Sequence, residues 1–143
     1  MSMVPDADVL SFYLGIPYEH PLGHRGFTHS ILFALLSSII VARMIHGRGE
    51  NLFTITLFLF LATVSHGLLD AITTGGLGVG FFIPFDDTRY FFSFRPILVS
   101  PIGIGNFIGT RGLAVLMSEF KYVWIPLLLI MAVSEIIWRS VKK

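Results

Sequence analysis

Cysteine is absent from this sequence. Disulfide bonds, thiolate metal ligands and cysteine nucleophiles are therefore excluded. Any site for a transition metal has to be built from nitrogen and oxygen ligands, chiefly histidine and the acidic side chains. Because the chain has only 5 histidines and 9 acidic residues, the positions of these residues carry much of the information about function.

Charged residues are also scarce, at 13% of the 143 residues, whereas 54% are hydrophobic. A typical soluble domain has about 25% charged residues. Since so few charges cannot cover a water-facing surface, the sequence predicts an integral membrane protein whose partner is the lipid bilayer. The net charge of +1 and the lack of a basic stripe do not indicate nucleic-acid binding. No feature of the sequence indicates an oligomeric state.

Three apolar segments are long enough to cross or nearly cross a bilayer, which takes about 20 helical residues. They run from about Ser30 to Ile45, Leu52 to Leu69 and Tyr122 to Trp138. A polar turn, His46 to Asn51, predicts that the first two segments form an antiparallel helical hairpin. The Gly-, Pro- and Phe-rich stretch from Ala71 to Ser118 predicts irregular structure at the membrane interface, because unpaired backbone amides cannot face lipid.

These segments define an all-α membrane protein. We expect a single domain over residues 1–143, a bundle of about three membrane helices with an irregular interfacial loop region. Basic residues flank both the polar turn and the C-terminus. The positive-inside rule places these two regions in the cytoplasm of a multi-pass inner (plasma) membrane protein. The residues are Arg43, Arg48, Arg139, Lys142 and Lys143.

The hairpin predicts a cluster of chemically active side chains at one end. His29 lies 20 residues before Gly49, the centre of the turn, while His66 and Asp70 lie 17 and 21 residues after it. At about 1.5 Å of rise per residue, all three side chains reach nearly the same height. The i,i+4 spacing puts His66 and Asp70 on one face of their helix, and His24 can fold back over the same end.

Imidazole and carboxylate groups suit a divalent metal, with zinc favoured and manganese or iron as alternatives. Asp6 and Asp8 can close the site from the N-terminal segment, either as a base or as a further ligand. Arg25 and Arg89 can hold an anionic group such as a phosphate. The competing interpretation, a structural role for His66 and Asp70, is disfavoured because ionisable residues inside an apolar segment are costly and usually functional.

Other polar residues have simpler interpretations. His20 and His46 are expected to serve packing or the interface. Thr28 or Ser30 is expected to cap a helix, and for Thr28 capping is favoured over a functional role. Asp86 and Asp87 are expected to start a turn. The glycines between residues 75 and 80 lack the Lys-Ser/Thr of a phosphate-binding loop, so they predict turns.

The ordered motifs resemble those of the YdjM family of membrane-associated metal-dependent hydrolases, over nearly the whole chain. The motifs are Pro5-Asp6-x-Asp8, His24-Arg25-Gly26-x-Thr28-His29-Ser30, His66-x-x-x-Asp70, Thr73-Thr74-x-Gly76, and Pro84-Phe85 with Arg89-Tyr90. That family is distantly similar to zinc-dependent phospholipase C and P1 nuclease. The resemblance implies metal ligands at Asp8, His24, His29, His66 and Asp70.

One feature departs from the family pattern. Members usually have a further helix with a Thr-His pair before Pro-Asp-x-Asp, whereas this chain begins only a few residues before Pro5. We therefore expect either that the metal site has one ligand fewer than in the family, together with the loss of one helix, or that the start site lies upstream.

The leading functional hypothesis is a membrane-bound metal-dependent hydrolase of a phosphoester or lipid-like substrate. Asp6, Arg25 and Arg89 are its expected catalytic residues. The alternative is a non-catalytic metal-binding membrane protein, acting as a carrier, sensor or scaffold. Ligands gathered at one end of the hairpin favour the hydrolase, because a transport route needs ligands along its length.

Overall fold

The computed structural model of the chain describes residues 1–47, 49–100 and 107–142. Arg48 of the polar turn, residues 101–106 of the predicted interfacial stretch, and Lys143 lie outside this part. Within it the fold is all-α, as predicted, with two isolated β-bridges and no strand. The α-helices are α1 (Leu10–Tyr13), α2 (Ile31–Ile45), α3 (Leu52–Ala71), α4 (Thr110–Glu119) and α5 (Ile125–Val141), with 3₁₀-helices at Pro5–Val9 and Phe27–His29 and a π-helical turn at Phe120–Trp124.

The described residues form two compact units. The first unit comprises Met1–Ile72 with Gly76–Ser93, and it contains the α2–α3 hairpin. The second unit comprises Thr73–Gly75 together with the chain from Phe94 onward, and it contains α4 and α5.

Helices α2 and α3 pack through small side chains. The residues buried on each helix recur every four positions, which brings one stripe of each helix against the other. On α2 these residues are Ala34, Ser38 and Ala42, and on α3 they are Thr63, Gly67 and Ala71. Large apolar side chains such as Ile40, Phe53 and Phe58 are instead exposed. Small side chains inside and large apolar side chains outside are the arrangement expected of a helical hairpin that is surrounded by lipid.

Polar side chains define where the two hairpin helices begin. Ser30 Oγ accepts the amide of Phe33 at 3.0 Å and caps α2. Asn51 Oδ1 accepts the amide of Phe53 at 2.9 Å and caps α3. Of the two residues expected as caps, Ser30 is confirmed, whereas the expectation for Thr28 is wrong because its hydroxyl donates to Asp8.

Helix α3 and the helix from Thr110 to Val141 are long and apolar enough to cross a membrane, whereas α2, with 15 residues, is shorter. The 32-residue Thr110–Val141 helix consists of α4, the π-helical turn and α5. At about 1.5 Å per residue it is about 48 Å long, more than a bilayer core of about 30 Å. The prediction of irregular structure as far as Ser118 is therefore wrong from Thr110 onward.

The π-helical turn lies directly before Pro126, which occupies the first turn of α5. Proline cannot donate a hydrogen bond to the preceding turn, and a π-helical turn is one way for a helix to absorb such an interruption. Pro126 therefore lies within one continuous helix, at a local change in its winding.

Candidate metal centre

Four side chains of the first unit converge at the end of the hairpin where α2 begins and α3 ends. Each offers one ligand atom, and these atoms all lie within 4.8 Å of one another. The side chains are those of Asp6, His29, His66 and Asp70. The convergence of His29 with His66 and Asp70 is the arrangement that the hairpin geometry predicts.

The separations between ligand atoms lie within a few tenths of an ångström of those around one cation. His29 Nε2 lies 3.1 Å from Asp70 Oδ2 and 3.7 Å from Asp6 Oδ1. His66 Nε2 lies 3.1 Å from Asp6 Oδ1 and 3.6 Å from Asp70 Oδ2. A tetrahedral site with metal–ligand distances of about 2.0–2.2 Å separates its ligand atoms by about 3.3–3.6 Å. The four groups therefore fit a single divalent ion.

Local structure brings these ligands together. Asp6 lies in the N-terminal 3₁₀-helix, His29 ends the 3₁₀-helix before α2, and His66 and Asp70 lie one turn apart on α3. Exposure rises across the cluster: the side chain of His29 is 0% exposed, those of Asp70 and His66 are 16% and 18% exposed, and that of Asp6 is 39% exposed. The site is thus closed at His29 and open at Asp6.

Two buried ring nitrogens support metal binding because they lack a hydrogen-bond partner. His29 Nε2 and His66 Nε2 are buried, and although a carboxylate oxygen lies 3.1 Å from each, neither nitrogen makes a hydrogen bond of acceptable geometry with any described residue. Leaving a buried polar nitrogen unsatisfied is costly. Because both nitrogens point toward the shared centre, a cation at that point would satisfy them.

Asp8 lies behind the cluster and outside the set of four. It is buried, and its Oδ2 lies 3.1 Å from Nδ1 of His29, the ring nitrogen on the far side from Asp70. The Thr28 hydroxyl donates to the same oxygen at 2.6 Å and lies 3.2 Å from His29 Nδ1. A proton on Nδ1 suits both contacts and leaves the Nε2 lone pair directed at the centre.

His24 also lies outside the set of four. Its Nδ1 is 2.5 Å from Asp8 Oδ1. The backbone amide of Arg25 donates to the other Asp8 oxygen at 3.0 Å. Asp8 therefore joins the His24 segment to His29.

Arg25 holds the carboxylate of Asp70. Its Nη2 donates to Asp70 Oδ1 at 2.8 Å, which leaves Oδ2 facing the two imidazoles. Arg25 has a φ of +60°, in the left-handed region that is uncommon for side chains other than glycine. This uncommon backbone conformation occurs where the loop places the buried Arg25 guanidinium beside the Asp70 carboxylate.

Arg89 has a different environment. Its guanidinium donates to the carbonyl oxygens of His24 at 2.9 Å, Tyr18 at 3.1 Å and His20 at 2.9 Å. These bonds hold the loop that carries His24 and Arg25. With its donors directed at backbone oxygens, Arg89 acts on the structure of this loop.

The electrostatics of the cluster couple imidazole to carboxylate. Burial by itself lowers the pKa of His29. The carboxylates of Asp6, Asp70 and Asp8 outweigh that effect and raise the pKa of His29 to about 10. For the Asp6 and Asp8 carboxyls burial acts in the opposite direction and raises the pKa. The neighbouring imidazoles outweigh this effect and hold both pKa values well below the usual range.

The remaining histidines are not part of this cluster. His20 is exposed, and its Nδ1 accepts the amide of Leu22 at 3.1 Å. His46 is exposed at the far end of α2. The sequence left the role of Asp6 open between a base and a further ligand, and the fold brings its carboxylate into the group of four candidate ligands.

An all-α chain with long apolar helices and a polar cluster at one helical end defines a helical membrane protein. The sequence profile described as YdjM inner membrane protein matches residues 1–143, and the chain belongs to this family. It is 41% identical over 142 residues to inner membrane protein YbcI of Escherichia coli (strain K12). The matched region covers 97% of this chain and 80% of YbcI. No solved structure matches the chain.

Proposed function

We propose that this protein is a multi-pass, membrane-bound, metal-dependent hydrolase that acts on a phosphoester. The observation that carries the proposal is the cluster of Asp6, His29, His66 and Asp70, whose separations fit one divalent cation and whose Asp6 side is open. Zinc is the favoured ion, with manganese or iron as alternatives.

Each residue of the site has a distinct task in this proposal. His29, His66, Asp70 and Asp6 hold the cation. Asp8 fixes the orientation of the His29 ring, and Arg25 fixes that of the Asp70 carboxylate, as groups behind metal ligands commonly do. The proposal thus chooses the ligand role for Asp6, which the sequence had left open between base and ligand. It gives supporting roles to Asp8 and His24, which were expected as ligands.

A divalent ion bound in such a site supplies a water nucleophile at neutral pH and stabilises developing negative charge on a phosphoester. The residues of the chain decide where this chemistry takes place. His29 closes one side against water, and the exposed edge of Asp6 leaves an approach for substrate. The guanidinium of Arg25 adds positive charge beside Asp70. Arg89, committed to backbone oxygens, has no substrate-binding role in this proposal.

The position of the ligands favours a hydrolase over a carrier. All four ligands lie at one end of the hairpin, and the described remainder of α2 and of α3 adds no further histidine or acidic side chain. A transport route through the bilayer needs polar groups along its length.

The test is elemental analysis of the purified full-length protein together with a panel of phosphomonoester, phosphodiester and phospholipid substrates. We expect about one divalent metal per chain and hydrolysis of at least one substrate class. The variants His66→Ala and Asp70→Ala should lose both metal and activity. The matched control is His46→Ala, which removes an exposed histidine at the other end of α2 and should retain both.

Full metal occupancy in the His66→Ala/Asp70→Ala double variant would reject the site. Metal binding without hydrolysis, combined with metal flux in proteoliposomes, would replace the hydrolase with a carrier.

A further inference from the structure

A second feature of the first unit is an apolar cavity of about 320 Å³ between α3 and the loop that follows it. Its size lies within the range of small-molecule sites, about 300–1,000 Å³. Val64 and Leu68 of α3 form one side, and Phe81 and Phe91 form part of the other. Leu68 is 42% exposed, so the cavity opens at the surface of the protein.

Backbone hydrogen bonds fasten the loop wall of this cavity to the hairpin. The amide of Ile31, a lining residue at the start of α2, donates to the carbonyl of Phe81 at 3.0 Å. The amide of Phe92 donates to the carbonyl of Ala71 at 3.0 Å. Phe81 also approaches Gly67, where an added Cβ would lie 3.4 Å from the ring. The cavity is thus built into the join between the loop and the hairpin.

The chemistry of the lining selects a hydrocarbon. All of its side chains are aliphatic or aromatic, and the one hydroxyl among them, on Tyr90, donates to Asp86 at 2.7 Å. A polar ligand group placed here would lose its hydrogen bonds to water without replacement. An aliphatic chain has no hydrogen bonds to lose, and it would fill the cavity through van der Waals contacts with the lining side chains.

The cavity lies at the same height along α3 as the metal cluster but on another face. Val64 and Leu68 alternate along the helix with His66 and Asp70. At 100° per residue, these two pairs point in roughly opposite directions. The cavity therefore faces away from the polar site, on the side of α3 where exposed apolar side chains such as Leu61 lie.

We infer that this cavity binds one acyl chain of a membrane phospholipid. Three observations support that occupant over others: the lining offers no free polar side chain, the cavity opens on an apolar face, and one of its walls is α3, a helix long enough to span a bilayer. The bound chain fixes the depth of the α3 end in the bilayer, and with it the level of the Asp6–His29–His66–Asp70 cluster. This inference does not depend on hydrolysis by that cluster.

The experiment is photolabelling of the full-length protein in phospholipid nanodiscs. The probe is a phosphatidylcholine with a diazirine in one acyl chain, and labelled peptides are mapped by mass spectrometry. We expect preferential labelling of the segments that contain Val64–Leu68 and Phe81–Phe92. Val64→Trp and Leu68→Trp, two variants that fill the cavity from α3, should each lower this labelling about tenfold, because the indole ring occupies the space that an acyl chain would need.

The matched control is Leu61→Trp, which adds the same ring to an exposed position on α3 outside the cavity and should keep labelling within about twofold of the wild type. Metal content and melting temperature of each variant verify its folding. The use of two filling positions keeps the test decisive if one variant fails to fold.

Labelling that is uniform along α3, or equal in the cavity-filling and control variants, would overturn the inference. Crosslinks from this cavity to a second copy of the chain, in place of lipid, would also overturn it and would identify an interface between copies.

Discussion

The carboxylate of Asp8 lies 3.1 Å from Nδ1 of His29, on the opposite edge of the ring from the nitrogen that faces Asp70. Asp8 is thereby placed to hold the ring orientation and to favour a proton on Nδ1. A metal-binding imidazole commonly has such a carboxylate partner, and the loss of that partner typically weakens metal binding 10- to 100-fold, on the order of 1.4–2.7 kcal/mol.

The first prediction concerns this pair. Asp8→Asn should lower the affinity for zinc about 10- to 100-fold while the protein remains folded, because the amide is nearly the same size but lacks the charge. Competition with a chromogenic chelator measures the affinity. Asp87→Asn, at an exposed acidic position, is the control and should match the wild type. Unchanged zinc affinity in Asp8→Asn would show that His29 needs no negative charge at Nδ1.

The second prediction concerns Arg25, whose guanidinium pairs with Asp70 in a buried setting. Arg25→Met leaves the Asp70 carboxylate without this cation, a change that costs about 3–5 kcal/mol for a typical buried pair. A bound metal ion compensates part of that charge. The loss in melting temperature should therefore be larger in chelator than with metal. Arg43→Met, at an exposed position, supplies the baseline. Equal losses under both conditions would mean that Asp70 does not contact the metal.

The third prediction is a pair of opposite pH trends. Because the pKa of His29 is raised to about 10 in the metal-free protein, its contribution to stability is fully present below about pH 6.5 and is lost as the pH rises toward 10. Metal must displace that proton, so metal affinity should rise between pH 7 and 9, by about tenfold per unit for each proton released.

Calorimetric titration with zinc in two buffers of different ionisation enthalpy counts the released protons, and thermal melts in chelator follow the stability trend. His20→Ala, outside the cluster, should leave both trends unchanged. Zinc binding without proton release at pH 7 would contradict the assignment of His29 as a ligand.

The fourth prediction concerns the hairpin interface. Ser38 is fully buried, and its hydroxyl has no hydrogen-bond partner among the described residues. Ser38→Ala should stabilise the protein by about 1 kcal/mol, because an unsatisfied buried hydroxyl carries a desolvation cost. Ser38→Leu should destabilise it by about 1–3 kcal/mol through overpacking.

Reversible denaturation in mixed micelles measures both Ser38 variants. Ser37→Ala is the matched control, since the Ser37 hydroxyl donates to the carbonyl of Ala34 at 3.3 Å. A destabilised Ser38→Ala variant would mean that this hydroxyl makes a stabilising hydrogen bond in the folded protein.

The hairpin was predictable from sequence because simple geometry determines it. A short polar turn and a constant rise per residue bring His29 level with His66 and Asp70, whatever the details of packing. The bounds of α2 and α3 follow the apolar segments to within two residues. By contrast, α4 was missed because Arg111, Glu119 and Lys121 interrupt the hydrophobic pattern, although such residues are good helix formers.

The sequence could not predict which of Asp6 and Asp8 is the candidate ligand and which supports the His29 ring. The two residues share a 3₁₀-helix, in which positions two apart differ by about 240° around the axis. The motif alone does not say which carboxylate faces the centre. In the fold Asp6 approaches the Nε2 edge of His29 and Asp8 the Nδ1 edge. The tertiary position of the His29 ring thus determines both roles.

The ligands of the candidate site come from parts of the sequence that are far apart. A cation bound by both Asp6 and Asp70 would fasten the start of the chain to the end of α3, a tether of the kind that other proteins make with a disulfide and that a chain without cysteine cannot form. A crosslink that closes a long loop restricts the conformations of the unfolded chain more than one that closes a short loop. Metal starvation would therefore weaken this tether without removing it, because Asp8 stays bonded to His24 and Thr28 when no metal is bound.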